Sequence, residues 1–170
     1  MSHMSIELNS LLMRSAELES ALSELIGLGA SISDRRTLSS RSMCGVSFEH
    51  VESVKLFTVA GNFTSAVGLL RLQYETLVRA IWILYAASDE AVSKLRAEFT
   101  AVSAAKSERL PMLSDMLTHL EGKCPDQVTK QLLEFKEYSW KPLSSFVHGG
   151  IHAIARHSRG YPRRPLASGS

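Results

Sequence analysis

Two histidines stand four residues apart near the C-terminal end, in the pentapeptide HGGIH of residues 148–152, and an arginine follows four residues later. Residues four apart share one face of a helix, so His148, His152 and Arg156 are predicted to lie together. A histidine can act as general acid or base beside an arginine that stabilises a phosphate. The alternative is a helix end whose histidines bond to nearby acceptors and whose glycines let a central helix approach closely.

Histidines at this spacing also occur in zinc sites, but two ligands do not complete a tetrahedral site. Further ligands would have to come from His157, Glu75, Cys44 or Cys124, and no spacing singles out any of these residues. The two cysteines are isolated from each other, as expected of reduced thiols in a cytoplasmic protein. The sequence therefore predicts neither a metal nor a cofactor.

A second charged set, Arg71, Glu75 and Arg79, follows four-residue spacing within the most apolar part of the chain. Charges on a buried helix are unfavourable unless they are paired. One interpretation is an internal ion-pair ladder that fixes the helix against its neighbours. The other is a polar cleft, in which Arg71, Arg79 or Arg156 contacts a phosphate, Glu75 orients an arginine, and a histidine of HGGIH is the acid or base.

Charge is distributed unevenly along the 170 residues, whose net charge is +2. Beyond Glu137 there are five basic residues and no acidic one, so this segment carries +5 and the part before it carries −3. Such a basic end can attract a polyanion, or it can be a solvated terminus. The P-loop, GxGxxG, GxSxG and HExxH motifs of common enzyme classes are absent from the sequence.

Apolar residues recur at three- and four-residue intervals along most of the chain, and no segment alternates with period two. The pattern predicts an all-α bundle of five to seven helices without a sheet, with residues 63–87 as the central helix. Residues 1–4 are interpreted as an artificial extension, 5–160 as one domain and 161–170 as an extended basic tail. No segment reaches the roughly 20 apolar residues of a membrane span, so a cytoplasmic protein is expected. Helices are predicted at 6–28, 47–60, 63–87, 88–106, 112–120, 127–138 and 144–157. A polar connection is predicted at 34–41 and a break at Pro142. The two glycines of HGGIH are predicted to lie inside the last helix.

Two blocks of sequence carry a resemblance to known proteins. They are GNFTSAVGLLRLQYETLVRAIWILYAAS, from residue 61, and WKPLSSFVHGGIHAIARH, from residue 140. Together they resemble a group of uncharacterised bacterial helical proteins, which are similar in turn to the HEPN superfamily of helical bundles. The resemblance covers about residues 45–160 and implies an HEPN-like bundle.

HEPN proteins typically form dimers, and many are metal-independent ribonucleases of toxin–antitoxin and phage-defence systems. Their active site is an arginine followed four to six residues later by a histidine. This chain lacks that motif, since its nearest equivalents run from His152 to Arg156 or join His148 to Arg71 and Arg79 across helices. Two hypotheses follow. The first is a non-catalytic, homodimeric interaction module with a buried Arg/Glu/His network. The second is a metal-independent ribonuclease that acts on RNA, or a toxin, of a toxin–antitoxin or phage-defence system. A cognate protein partner fits either hypothesis.

Overall fold

The computed structural model describes residues 3–27, 34–95 and 110–161. Within these ranges the chain forms seven α-helices and no β-strand, which confirms the predicted all-α class. None of these helices has the length and apolar character needed to cross a bilayer. The helices are α1 (His3–Gly27), α2 (Arg35–Val59), α3 (Phe63–Tyr85), α4 (Asp89–Leu95), α5 (Leu113–Leu120), α6 (Asp126–Val147) and α7 (Ile151–Arg159).

Helix α3 is central, as its apolar composition predicts, and α2, α5 and α6 pack around it. Val78 and Ile83 of α3 are almost completely buried, and so is Leu120 of α5. Each such side chain contributes about 1.5–3 kcal/mol through its removal from water. The other core residues on these helices include Tyr74, Trp82, Met116, Leu117 and Leu132.

Helix α2 begins at Arg35, although the sequence predicted a polar connection over residues 34–41. That prediction was wrong because the polar residues there bond to backbone groups. Asp34 caps the helix by accepting from the backbone N–H groups of Arg36 and Thr37. Arg36 also donates to the carbonyl oxygens of Ile83 and Ala87 at 2.8 and 2.7 Å, which satisfies acceptors at the C-terminal end of α3.

The predicted break between α2 and α3 is confirmed, and Gly61 there adopts φ +78°. The predicted break at Pro142 is wrong, because Pro142 lies inside the continuous helix α6. Trp140 packs against the core on one side of the proline, and Leu143 is buried on the other. This packing holds the helix together across a residue that lacks a backbone donor. The predicted helix 88–106 begins as α4, and its remainder lies outside the described residues, as do residues 162–170 of the predicted tail.

Candidate functional site

Arg71 is the centre of a cluster formed by Arg71, Glu75, Trp140 and His148, called here the Arg71 cluster. Its Nε donates to Oε1 of Glu75 at 2.8 Å, and its Nη1 lies 3.0 Å from Nε2 of His148. The guanidinium carbon lies 4.4 Å from the centre of the Trp140 ring, within the range of a cation–π contact. The Arg71 side chain is 14% exposed, so these contacts largely enclose it.

Two helices bring the cluster together. Arg71 and Glu75 are one turn apart on α3, which places them side by side by helix geometry alone. Trp140 lies on α6 and packs against the core beside Tyr74, with the ring centres 6.4 Å apart. His148 caps the C-terminal end of α6 and donates its backbone N–H to Ser144 O at 3.1 Å. The cluster therefore ties the middle of α3 to the end of α6.

The contact with Arg71 limits the role of His148 in it. An arginine has only donors, so a hydrogen bond between the two side chains requires Nε2 of His148 as the acceptor. The imidazole is exposed to solvent, but its basic nitrogen is already bonded to Arg71. His148 would have to leave Arg71 before that nitrogen could take a proton from a substrate.

The glycines of HGGIH form a turn between α6 and α7, so the predicted continuous helix over residues 144–157 is wrong. Gly149 adopts φ +63°, a conformation that ends α6 and that other residues rarely adopt. Gly150 donates its backbone N–H to Ser145 O at 2.6 Å, and a Cβ there would lie 2.5 Å from Ser145 Oγ. The expectation that these glycines admit the central helix is also wrong, because Gly150 makes room for Ser145 of its own turn.

The break separates the two histidines that the sequence placed on one face. His152 lies in the first turn of α7, where its backbone N–H donates to Ser145 Oγ at 3.0 Å. Its exposed imidazole makes no hydrogen bond within the described residues. His152 and Arg156 still share a face of α7, while His148 belongs to the Arg71 cluster instead.

Arg156 belongs to α7 and faces the beginning of α3, away from the Arg71 cluster. With His157 it lines a cleft of about 350 Å³ whose other wall includes residues 61–65. Tyr161 closes this cleft, since its hydroxyl lies 2.9 Å from Thr64 Oγ1 and its ring lies against Phe63. The structure therefore separates Arg156 from Arg71, Glu75 and His148.

Arg79 follows Glu75 by four residues in the sequence, but in the structure Glu75 forms its ion pair with Arg71 and not with Arg79. Glu75 pairs with Arg71, and Nε of Arg79 is buried without a hydrogen-bond partner in the described part of the chain. The predicted ion-pair ladder is therefore a single pair, and Arg79 takes no part in the Arg71 cluster.

The described residues include no group of three His, Cys, Asp or Glu side chains placed to hold a metal ion. Both cysteines are free, and burial raises the pKa of the Cys44 thiol. A raised pKa reduces the thiolate fraction and hence the reactivity of that cysteine.

The role of Trp140 was missed in the sequence. It belongs to the second block of the resemblance, but its partner Arg71 lies far away in the first block. No local spacing links an arginine and a tryptophan on different helices. An arginine in an apolar helix does predict a partner of some kind, because its charge must be compensated.

Residues 44–168 match a family model described as a family of unknown function, DUF6988. The chain belongs to this family. The match begins within α2 and leaves α1 outside it. No match was found among curated proteins or among solved structures. An uncharacterised family was predicted from the sequence, and that part of the prediction is confirmed; the HEPN likeness and a bacterial origin stay predictions.

Proposed function

We propose that this DUF6988 protein is a non-catalytic interaction module and that the Arg71 cluster serves to hold α3 and α6 together. The contacts of Arg71 support this proposal. Its guanidinium is paired with Glu75, stacked on Trp140 and bonded to His148, and the side chain is only 14% exposed, so a substrate phosphate has little access to it. His148 in turn uses its basic nitrogen to accept from Arg71.

The surface assigned to a partner is the outer side of α7. The exposure of its two isoleucines is the observation that supports the proposal. Helix α7 buries only Ala153, and its two isoleucines face solvent, with Ile151 76% and Ile154 65% exposed. They are three residues apart and therefore adjacent on the helix. Removal of such side chains from water lowers the free energy, so a partner that covers Ile151 and Ile154 gains binding free energy from the contact.

We assign a second copy of the chain as that partner. The chain after Glu137 carries +5 and the part before it carries −3, so each copy offers the charge that complements the other. Arg156 and Arg159 lie on α7, next to the exposed isoleucines, so polar and apolar contacts can form at one surface. Isoleucines gain little against a nucleic-acid backbone, which favours a protein partner over RNA. The two isoleucines of α7 are more exposed than any large apolar residue of α3, where the most exposed is Tyr85 at 42%, so we assign dimerisation to α7.

The experiment is light scattering over a range of protein concentrations. The wild type is expected to have the mass of a dimer, and Ile154→Asp is expected to be monomeric. Tyr138→Asp on α6 is the matched control, because Tyr138 is 77% exposed without a second exposed large apolar residue one turn away, and its substitution should leave the dimer intact. A wild type that is monomeric at all concentrations, or an Ile154→Asp variant that remains dimeric, contradicts the proposal.

A second candidate function is a metal-independent ribonuclease, and one observation favours it. His148 is exposed and lies within hydrogen-bond distance of Arg71, which is the pairing of residue types that such chemistry uses. The test is the cleavage of total RNA in chelator by the wild type and by His148→Ala. Cleavage that the substitution abolishes would support the ribonuclease, and equal behaviour of the two proteins would rule it out.

A further inference from the structure

A cleft of about 400 Å³ lies where α3, α4 and α5 meet, distant from α7 and from the Arg71 cluster along α3. Its volume falls in the range of small-molecule sites, about 300–1,000 Å³. Trp82 and Ala86 of α3 lie on one side, and Leu110 and Pro111 lie before α5. These residues give the cleft an apolar wall, and its other described residues include Ser88, Glu90, Lys94, His119 and Lys123.

His119 stands beside this apolar lining and has a defined orientation. The indole N–H of Trp82 donates to Nδ1 of His119 at 3.4 Å. A ring nitrogen that accepts carries no proton, so the neutral His119 has its proton on Nε2. The hydrogen bond to Trp82 thus leaves His119 with an N–H donor on its other nitrogen, and the ring itself is exposed.

Three charged residues line the described part of the cleft. Glu90 and Lys94 of α4 pair with each other at 3.1 Å. Lys123 also lines the cleft, and its ammonium makes no hydrogen bond to any described residue. Lys123 is therefore the cation of the described lining that is available to a ligand. An apolar wall with one ammonium and one N–H donor suits a singly charged organic anion.

We propose that this cleft binds a small organic carboxylate with an apolar body. The carboxylate accepts from Lys123 and from Nε2 of His119, and the apolar body lies along Trp82, Leu110 and Pro111. An ammonium and a single ring N–H are two separate donors that match the two oxygens of a carboxylate. This site is independent of the proposed dimer surface, since none of its residues belongs to α7.

The probe is 3-phenylpropionate, with the neutral 3-phenylpropionamide as its isosteric comparison. The chain has two tryptophans, so its proton–nitrogen NMR spectrum contains two indole N–H signals, which Trp140→Phe assigns. Saturable displacement of the Trp82 signal by the carboxylate is expected, while Trp140 in the Arg71 cluster serves as an internal reference. The amide should bind more weakly because it lacks the charge.

Lys123→Ala is expected to weaken binding of 3-phenylpropionate about two- to fivefold, as for an exposed ion pair. Lys123 is exposed, so the variant should fold, and Lys141→Ala on α6 is the matched control with unchanged affinity. The proposal is overturned if the carboxylate leaves the Trp82 signal unmoved, if the amide binds as tightly as the carboxylate, or if Lys123→Ala binds like the wild type.

Discussion

Replacement of Arg71 by lysine tests whether the Arg71 cluster holds α3 to α6. A lysine keeps the positive charge and can still pair with Glu75, which is one turn away. It lacks the planar guanidinium that lies 4.4 Å from the Trp140 ring centre and reaches His148 at the same time. The substitution therefore removes the contacts between the two helices and keeps the contact within α3.

The magnitude follows from the two contacts that are lost. A cation–π contact contributes roughly 0.5–2 kcal/mol, towards the upper end where the cation is shielded from water, as Arg71 is at 14% exposure. The hydrogen bond to His148 contributes about 1 kcal/mol. Arg71→Lys is thus expected to lower the free energy of unfolding by about 2 kcal/mol, which corresponds to about 4–8 °C in Tm for a chain of this size.

The assay is urea unfolding followed by circular dichroism, with Arg156→Lys as the matched control. Arg156 is exposed on α7, so the same chemical change there should alter the free energy of unfolding by less than about 0.5 kcal/mol. His148→Ala should destabilise the wild type more than it destabilises Arg71→Lys, because the lysine has already lost the hydrogen bond. The reasoning is refuted if Arg71→Lys is no less stable than Arg156→Lys.

Three further predictions concern the backbone and the buried hydroxyl groups. Gly149→Ala should destabilise the protein by about 1–2 kcal/mol, because φ is +63° there. Gly45→Ala should stabilise it by roughly 0.5–1 kcal/mol, because this glycine lies inside α2 and an added Cβ would meet open space. Thermal unfolding of both variants measures the two changes. Burial raises the pKa of the Tyr74 phenol to about 12, so the unfolded chain loses this proton first and stability should fall between pH 10 and 12. Unfolding at pH 9 and 11 should show a smaller fall in Tyr74→Phe, and an equal fall in both proteins would contradict the assignment. Thr129→Val should be neutral or stabilising, because its buried Oγ1 has no partner in the described residues. Thr76→Val should cost about 1 kcal/mol, because it removes the one hydroxyl donor that lies within reach of Leu72 O and Gln73 O. Chemical denaturation of the two variants side by side checks this difference, and equal destabilisation would show that Thr129 has a partner.

Local rules account for what the sequence predicted correctly. The apolar periodicity predicts helices, the composition of residues 63–87 predicts the central one, and Gly61 predicts a break. Four-residue spacing also placed Glu75 beside both Arg71 and Arg79, and in the structure Glu75 pairs with Arg71. Each of these features depends on residues within a turn or two of one another.

The errors came where a local preference competed with a contact from elsewhere. Pro142 disfavours a helix, but the packing of Trp140 and Leu143 on either side keeps α6 continuous. Asp34 to Arg41 has the composition of a loop, yet Asp34 caps a helix there and Arg36 reaches the end of α3. Propensity is a weak preference that tertiary contacts can outweigh.

The composition of the candidate site was decided only by the tertiary structure. By itself the sequence determined an all-α chain and the shared helix face of Arg71, Glu75 and Arg79, because both follow from spacing along a helix. It could not determine that Trp140 and His148 complete the cluster while Arg79 and His152 lie outside it. Which residues belong to the Arg71 cluster depends on how α6 packs against α3 and on the turn at Gly149. Packing between helices that are distant in the chain produces no periodic pattern in the sequence.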